Sequence, residues 1–393
     1  MSRQVIILAG GFGTRLAHIV SEVPKPMAQI KDKPFLDYII ESLKKQGFDN
    51  FVLLTGYKSE IIEEYYKDLE NAVFVKEENA LGTGGAILNA YKYLEDDFFV
   101  INGDTFFDID YSLLEDFNCK NKFSCAVALR YTNNVDRYGF ADINENFEIT
   151  FFIEKGHLPK DRIDGYINGG IYYINKSLLK DFASNYKGEF ISLETDIFPK
   201  LMEQHKLYGL PLGGCFIDIG IPEDYYKAQD LIPNWMNKTS MPALFVDKDG
   251  TIRENTEYPH GKDFQIIEST IDEVKSYSDK NYHVVMVTNQ AGIAKGKFTE
   301  NEMNDCFEGI KEIYYSKGIN FDDIEYCPYH KDGIIKEYSY NTILRKPNPG
   351  MILSACEKLK IDLKKSIMLG DNKDVDNIKL PYLKCKILDK KGV

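Results

Sequence analysis

The chain has 393 residues, of which 44% are hydrophobic, and a formal net charge of −13. This length predicts two domains, and the negative charge argues against nucleic acid or an anionic membrane as a partner. The seven cysteines have no regular spacing and the apolar runs are too short for a membrane span, so we expect a cytoplasmic protein without a disulfide framework.

The first half of the chain alternates apolar strands with amphipathic helices. VIILAGG (residues 5–11) is typical of a buried strand that runs into a glycine turn. FLDYIIESLKKQG (35–47) has apolar residues at helical spacing and then a glycine. FVLLTG (51–56) and DFFVINGDT (97–105) predict further strands, with a helix at 61–70 between them. This order predicts an α/β fold in which ligands bind at the carboxyl ends of parallel strands.

Strand-like segments are denser between about residues 120 and 220, which predicts a mixed, mostly parallel sheet. IPNWMNKTSMP (232–242) is polar and flanked by prolines, and a new apolar strand, ALFVD, follows it. We therefore predict one domain at 1–235, a linker at 236–242 and a second domain at 243–393. The second half repeats the α/β rhythm, so the fold class predicted is α/β with two Rossmann-like domains.

A glycine-rich turn after the first strand indicates a phosphate site. Glycines let the backbone approach a phosphate closely, and a nearby hydroxyl and guanidinium supply further donors. These residues are Gly10, Gly11, Gly13, Thr14 and Arg15. Lys25 lies between two prolines, which indicates a positioned charge. The spacing matches neither a P-loop nor a dinucleotide fingerprint.

GGFGTRL, PKPMAQI and KPFLDYII resemble the sugar-1-phosphate nucleotidyltransferases. The likeness is greatest to the guanylyltransferases that act on D-glycero-D-manno-heptose 1-phosphate, and it extends to about residue 232. Further motifs follow in the expected order: LGTGGAI, NGDT, IEK, INGGIY, SLETDIFP and FIDIGIPEDY. The resemblance implies GTP and a heptose phosphate as small-molecule substrates, with Mg²⁺ as cofactor.

The resemblance also implies roles for individual residues. Asp104 and Asp218 would share Mg²⁺, and Arg15 and Lys25 would contact the phosphates at the reacting centre. Glu154, Lys155 and Asn168 would bind the sugar phosphate. The implied nucleotide-binding residues are Leu8, Gly10, Gly11, Gly13, Thr14, Arg15, Lys25, Gly82, Thr83 and Asp104. Glu194 is interpreted as a helix-start residue behind a capping Ser192 and is left outside this set.

Two acids separated by one residue, Asp247 and Asp249, follow the strand ALFVD, which indicates metal or phosphate chemistry. This DKDGT motif resembles the haloacid dehalogenase-like phosphatases. Their remaining motifs follow in order, with Thr288 and Asn289 after the next strand, then Lys346 and Asp371.

The second resemblance implies that Asp247 attacks phosphorus to form an aspartyl phosphate and that Asp249 acts as general acid and base. Mg²⁺ would be held by Asp247, by Asp371 and by Asp249 through a nearby backbone carbonyl. The phosphoryl group would contact Thr288, Asn289 and Lys346. A large cap domain is not expected.

DKDGT, TNQAGIAKG and RKPNPGM most resemble the D-glycero-D-manno-heptose 1,7-bisphosphate phosphatases, with the histidinol phosphate phosphatases close behind. Arg345 would then meet a second phosphate. Together the halves imply a bifunctional enzyme that removes the 7-phosphate and then joins heptose 1-phosphate to GTP. Other sugar 1-phosphates such as mannose 1-phosphate, another base, histidinol phosphate, a non-catalytic half and a homo-oligomer are left open.

Two departures from the phosphatase pattern matter. Cys327 and His330 match part of a zinc loop, but two ligands do not make a structural site, so we expect no zinc. The acid expected after Asp371 falls at Val375, with Asp374 and Asp376 on either side, and neither is assigned from the sequence.

Overall fold

The computed structural model describes residues 3–11, 16, 19–133, 139–153, 161–254 and 264–388. The chain forms two compact units. Most of the first half, up to Lys238, forms one of them, and Thr239–Val393 forms most of the other. Two earlier segments, Tyr131–Arg137 and His157–Tyr166, also belong to the second unit.

The first half contains thirteen strands among its described residues. They are β1 (Gln4–Leu8), β2 (Gln29–Ile30), β3 (Lys33–Pro34), β4 (Asn50–Thr55), β5 (Ala72–Lys76), β6 (Asp97–Asn102), β7 (Thr105–Asp108), β8 (Cys125–Thr132), β9 (Phe140–Ile143), β10 (Ile149–Ile153), β11 (Gly165–Asn175), β12 (Leu207–Leu212) and β13 (Cys215–Asp218). Seven α-helices accompany them: α1 (Phe35–Lys45), α2 (Ser59–Tyr65), α3 (Gly82–Asn89), α4 (Tyr111–Asn121), α5 (Lys180–Asn185), α6 (Phe198–Glu203) and α7 (Pro222–Met236).

A nine-stranded mixed sheet is the core of the first half. Its order is β10-β9-β11-β6-β1-β4-β5, and β8 pairs with both β11 and β12. β1 runs parallel to β4 and β6, whereas β11 is antiparallel to β6. β7 and β13 form a separate antiparallel pair, in which β7 follows β6 in the chain and β13 precedes α7. The predicted mixed, mostly parallel sheet is confirmed.

The second half forms a five-stranded parallel sheet in the order β16-β15-β14-β17-β18. Its strands are β14 (Ala243–Val246), β15 (His283–Asn289), β16 (Asp323–Cys327), β17 (Ile367–Gly370) and β18 (Lys384–Ile387). Its helices are α8 (Glu268–Ser278), α9 (Glu300–Ser316), α10 (Gly350–Lys358) and α11 (Lys373–Asp376). Because β14 is central and apolar on both faces, its four residues are fully buried.

Local sequence signals explain several element boundaries. α1 buries Leu36, Ile39, Ile40 and Leu43, as their helical spacing predicts. α9 starts at a capping box, in which Thr299 and Glu302 satisfy each other's backbone N–H groups. No described helix combines the length and the apolar character that a membrane crossing needs.

Part of the proline-bracketed segment at 232–242 is helical, although its polar composition predicts a linker. α7 continues through Pro233 to Met236, and it buries Ile232 and Trp235 against the first unit. Met241 exchanges backbone hydrogen bonds with Lys360 and Asp362 of the second unit. The expectations of a 236–242 linker and of no large cap stay predictions.

Candidate active sites

Lys25 lies between two aspartates in the first unit. Asp104 follows β6, and Asp218 ends β13 opposite Thr105 of β7, so the antiparallel pairing brings the two acids together. Lys25 begins a short 3₁₀ helix between two prolines. Its Nζ donates to Asp104 Oδ2 at 2.7 Å and to Asp218 Oδ1 at 3.1 Å.

Burial and charge act in opposition on this trio. Burial by itself would lower the pKa of Lys25, but Asp104 and Asp218 outweigh it and raise that pKa. Burial and the neighbouring Asp104 raise the pKa of Asp218, and Lys25 counteracts them. The lysine therefore stays a cation between two converging carboxylates.

A cavity of about 310 Å³ opens beside this trio. The predicted nucleotide-binding residues that line it are Leu8, Gly10, Gly11, Lys25, Gly82, Thr83 and Asp104. Gly13, Thr14 and Arg15, also predicted to bind the nucleotide, lie outside the described residues.

Glu77 is a cavity residue that the sequence interpretation missed. Its Oε2 accepts a hydrogen bond from the Leu81 N–H at 3.0 Å. Its Oε1 lies 2.5 Å from the position that a Cβ on Gly10 would take, so a larger residue at position 10 would displace it. Burial raises the pKa of Glu77, and the Leu81 N–H partly opposes that rise. A single Glu in a polar segment gave no periodic or motif signal.

Asn168 belongs to a hydrogen-bonded chain on β11. Its Nδ2 donates to the Tyr172 hydroxyl at 2.8 Å, which in turn donates to Glu194 Oε1 at 3.1 Å. The Thr83 hydroxyl donates to Glu194 Oε2 at 2.8 Å. Glu194 therefore connects the LGTGG segment to Asn168, a role beyond the helix-start interpretation. Glu154 and Lys155, predicted to bind the sugar phosphate, lie outside the described residues.

In the second unit, Lys346 lies between two aspartates, as Lys25 does in the first. Its Nζ donates to Asp247 Oδ1 and to Asp376 Oδ1, each at 2.6 Å. All three side chains are almost fully buried. Burial and Asp376 raise the pKa of Asp247 to about 6 against the opposing effect of Lys346.

The residues after β17 show which of the two acids following Asp371 lies close to it. Asn372 caps α11 by accepting from the Asp374 N–H, which leaves Asp374 exposed and turns Asp376 inward. Among the described residues, carboxylate oxygens of Asp247, Asp371 and Asp376 lie within 4.8 Å of one another. Asp376 thus completes the cluster, whereas the Asp249 carboxylate is not part of it. The prediction that Asp249 contributes to the metal site through a nearby backbone carbonyl stays a prediction.

The Asp249 carboxylate is held by three donors instead. Lys248 and Arg253, both fully buried, donate to Oδ1 at 2.8 and 2.7 Å, and Gln290 donates to Oδ2 at 2.9 Å. Burial would raise the pKa of Asp249, but the two cations outweigh it and lower that pKa. Asp249 is therefore held as an ionised acceptor.

The predicted phosphoryl-binding residues meet at the end of β15. Gln290 donates to the Thr288 hydroxyl at 2.8 Å, and Asn289 exchanges two hydrogen bonds with the Lys346 backbone. Burial lowers the pKa of Arg345. Its buried Nη1 has no hydrogen-bond partner among the described residues.

Cys327 and His330, the partial zinc motif, have local contacts. Burial raises the pKa of the Cys327 thiol to about 12, and that thiol donates to the Tyr329 carbonyl. His330 Nδ1 accepts from the Asp332 N–H at 3.1 Å.

Comparison with known proteins assigns a family to each half. Residues 4–234 match the family model of nucleotidyl transferases, and residues 244–381 match that of polynucleotide kinase 3 phosphatases. The D-glycero-alpha-D-manno-heptose 1-phosphate guanylyltransferase of Campylobacter jejuni is 43% identical over 226 residues, which are 57% of this chain and 97% of that protein. The enzyme of the same name from Aneurinibacillus thermoaerophilus is 40% identical over 237 residues, 59% of this chain and all of that protein.

Solved structures similar to the first half support the same family assignment. The crystal structure of HddC from Yersinia pseudotuberculosis is 37% identical, with a TM-score of 0.51, and the match covers 58% of this chain and 98% of that one. The same protein complexed with GMP-PN matches with 36% identity, a TM-score of 0.50 and the same coverage. The chain therefore belongs to the nucleotidyl transferase family and, with its phosphatase domain, is a bifunctional nucleotidyltransferase and phosphatase.

Proposed function

We propose that the chain removes the 7-phosphate from D-glycero-D-manno-heptose 1,7-bisphosphate and then transfers GMP from GTP to the resulting heptose 1-phosphate. The products are phosphate, GDP-heptose and pyrophosphate. One observation carries the proposal: each family-matched half holds a lysine between two carboxylates, the largely buried Lys25 in one and the fully buried Lys346 in the other. Such pairs of acids around a cation suit phosphate transfer, in which charge must be neutralised.

Both acidic sites have the chemistry that Mg²⁺ requires. The ion prefers carboxylate and phosphate oxygens and is often bound through few protein ligands. Asp104 and Asp218 would hold it in the transferase, and Asp247, Asp371 and Asp376 in the phosphatase. When bound, Mg²⁺ supplies positive charge that offsets repulsion between anionic substrate and carboxylates.

In the phosphatase, Asp247 attacks phosphorus, a new O–P bond forms, and the bond to the sugar oxygen breaks. Lys346 neutralises the nucleophile before substrate binds and can contact phosphoryl oxygens afterwards. Asp249 protonates the departing sugar oxygen and then accepts a proton from the water that hydrolyses the aspartyl phosphate. Its ionised state suits the second step directly, whereas the first requires that it gain a proton beforehand.

In the transferase, an oxygen of the sugar 1-phosphate attacks the α-phosphorus of GTP, and pyrophosphate leaves. Lys25 remains charged next to this centre, and the glycine-lined cavity wall offers backbone N–H groups to the phosphates. The hydrogen bonds from Thr83 through Glu194 and Tyr172 hold the Asn168 amide in one orientation, which would suit the binding of a sugar phosphate.

The second phosphate of a bisphosphate substrate gives Arg345 a role. Its buried Nη1, which has no partner within the described part of the chain, supplies a hydrogen-bond donor that an anionic oxygen would satisfy. Histidinol phosphate and mannose 1-phosphate are the alternative substrates of the two halves. The cytoplasmic location is a prediction from the sequence.

A coupled assay tests the proposal. Heptose 1,7-bisphosphate, Mg²⁺ and one nucleoside triphosphate at a time are incubated with the enzyme, and phosphate and pyrophosphate are followed separately. We expect pyrophosphate with GTP alone, and only after phosphate release. Phosphate release without pyrophosphate for any nucleotide would contradict the transferase half, and the absence of both products would contradict the heptose substrate.

A further inference from the structure

Asp164 is a fully buried carboxylate of the second unit that none of the predicted sites includes. It lies in the described part, 161–166, of the segment His157–Tyr166, which belongs to that unit although it precedes β14 by almost eighty residues. The segment is therefore distant in sequence from most of the unit to which it belongs, and its buried acid contacts residues of that unit.

Four donors converge on the Asp164 carboxylate. Oδ1 accepts from the Ile343 N–H at 2.9 Å. Oδ2 accepts from the Thr342 hydroxyl, from the Leu344 N–H at 3.4 Å and from the Tyr131 hydroxyl at 3.2 Å. The Leu344 N–H also donates to the Thr342 hydroxyl oxygen at 3.0 Å. A buried carboxylate that accepts several hydrogen bonds constrains the groups that donate them, because a buried donor that loses its acceptor is costly.

Three of these donors belong to consecutive residues that lead directly into Arg345 and Lys346. The same stretch is fixed at a second point, where the Asn341 N–H donates to the Asp161 carbonyl at 3.0 Å. Beyond it, Lys346 contacts Asp247 and Asp376. The carboxylate of Asp164 is thus linked to the candidate nucleophile through the backbone of 342–346.

We propose that Asp164 is a positioning residue of the phosphatase, which fixes the 342–344 backbone so that Lys346 and Arg345 are held at the reacting centre. The phosphatase site then depends on a segment encoded within the stretch that matches the nucleotidyl transferase family. Asp164 contacts no substrate in this role. The inference requires phosphatase activity, but it does not require that heptose bisphosphate be the substrate.

The test uses the full chain carrying Asp164→Asn, with p-nitrophenyl phosphate as the probe substrate. Asparagine keeps the size of the side chain but replaces one acceptor oxygen with an NH₂ group, which would face the donors of the 342–344 stretch. We expect kcat/KM for the probe to fall about 10- to 100-fold, since small displacements of catalytic groups have effects of this size. The inhibition constant of orthovanadate should rise in parallel, because Lys346 would no longer be aligned with the bound anion.

Two controls separate positioning from general destabilisation. Asp161→Asn alters an exposed neighbour whose backbone carbonyl accepts from the Asn341 N–H, a contact that the substitution leaves in place, and it should leave kcat/KM within about twofold. Thr342→Val removes the hydroxyl that donates to Asp164 and accepts from the Leu344 N–H, and its effect should be less than additive with that of Asp164→Asn. A lower melting temperature for Asp164→Asn with unchanged kcat/KM and vanadate inhibition, measured well below that temperature, would overturn the proposal.

Discussion

At the scale of single residues, Glu77 is the best candidate for recognising the guanine base of GTP through hydrogen bonds. Guanine presents two adjacent donors, N1–H and the N2 amino group, on one edge, and a carboxylate is the acceptor that complements them. Glu77 lines the cavity proposed to bind the nucleotide, and its Oε1 accepts no hydrogen bond from another described residue. Adenine and cytosine present a lone pair where guanine presents N1–H, so the same carboxylate would repel them.

Glu77→Gln should therefore lower kcat/KM for GTP about 10- to 100-fold, because the amide replaces an acceptor oxygen with a donor. The preference of the enzyme for GTP over ITP, which lacks the N2 amino group, should shrink at the same time. The measurement is pyrophosphate release with each nucleotide. Glu78→Gln changes the exposed neighbour and is the matched control. An undiminished GTP preference in Glu77→Gln would exclude base recognition by this residue.

Asp376 and Asp374 offer a second residue-scale comparison. Asp376 is buried against Lys346 and completes the acidic cluster, whereas Asp374 is exposed two residues earlier. Asp376→Asn should lower phosphatase kcat/KM about 100-fold and raise the Mg²⁺ concentration needed for half-maximal rate. For Asp374→Asn, both kcat/KM and the Mg²⁺ concentration needed for half-maximal rate should stay within about twofold of the native values. Equal losses in the two variants would show that the buried position confers no special role.

At the scale of elements, sequence patterns predicted strands and the residues at their ends well. The carboxyl ends of parallel strands meet at one edge of a sheet, so Asp247 after β14 and Thr288 at the end of β15 were expected together. Helix ends were less predictable. The helix expected at 61–70 spans Ser59–Tyr65, and the following Tyr66 donates its hydroxyl to Asp37 of α1. Such a tertiary contact leaves no local signal.

The packing of β16 against α10 (Gly350–Lys358) predicts a pH effect on stability. Glu325 of β16 is buried and accepts from Ser354 and Lys358 of α10. Burial raises the pKa of Glu325 to about 7, above its ordinary value of 4.5. Between these two values the folded state binds more protons than the unfolded state, so the stability contributed by this group falls as pH rises from about 4.5 to about 7.

Glu325→Gln removes this dependence. The free energy of unfolding of the variant, relative to that of the native enzyme, should rise by about 2 kcal/mol from pH 5 to pH 8. Its relative melting temperature should rise by several degrees over the same range. Thermal unfolding of both proteins at the two pH values measures the difference. Glu337→Gln, at an exposed position of the same half, should show no such change. A Glu325→Gln difference that is constant with pH would mean that this carboxyl titrates alike in the folded and unfolded chain.

At the scale of the whole molecule, the sequence motifs predicted both activities, but they did not predict which residues form each structural unit. The motifs of both reactions could be recognised because each consists of a few residues close together in the sequence. Asp164 could not be assigned in this way, since its partner Thr342 lies 178 positions later and its own segment is surrounded by transferase motifs. Long-range hydrogen bonds of this kind follow from the folded topology and leave no periodic trace in the chain.

Two separate sites on one chain predict that each activity survives loss of the other. Asp247→Asn should abolish phosphate release, because the amide cannot act as the nucleophile, while pyrophosphate release from GTP and a supplied sugar 1-phosphate stays within about twofold. Lys25→Met should have the reverse effect, since it removes the only cation shown to contact Asp104 and Asp218 within the described residues. Both reactions are measured on each full-length variant, with melting temperature as the control for folding. If either substitution removed both activities in a folded protein, the prediction that the two lysine-centred sites act independently would be wrong.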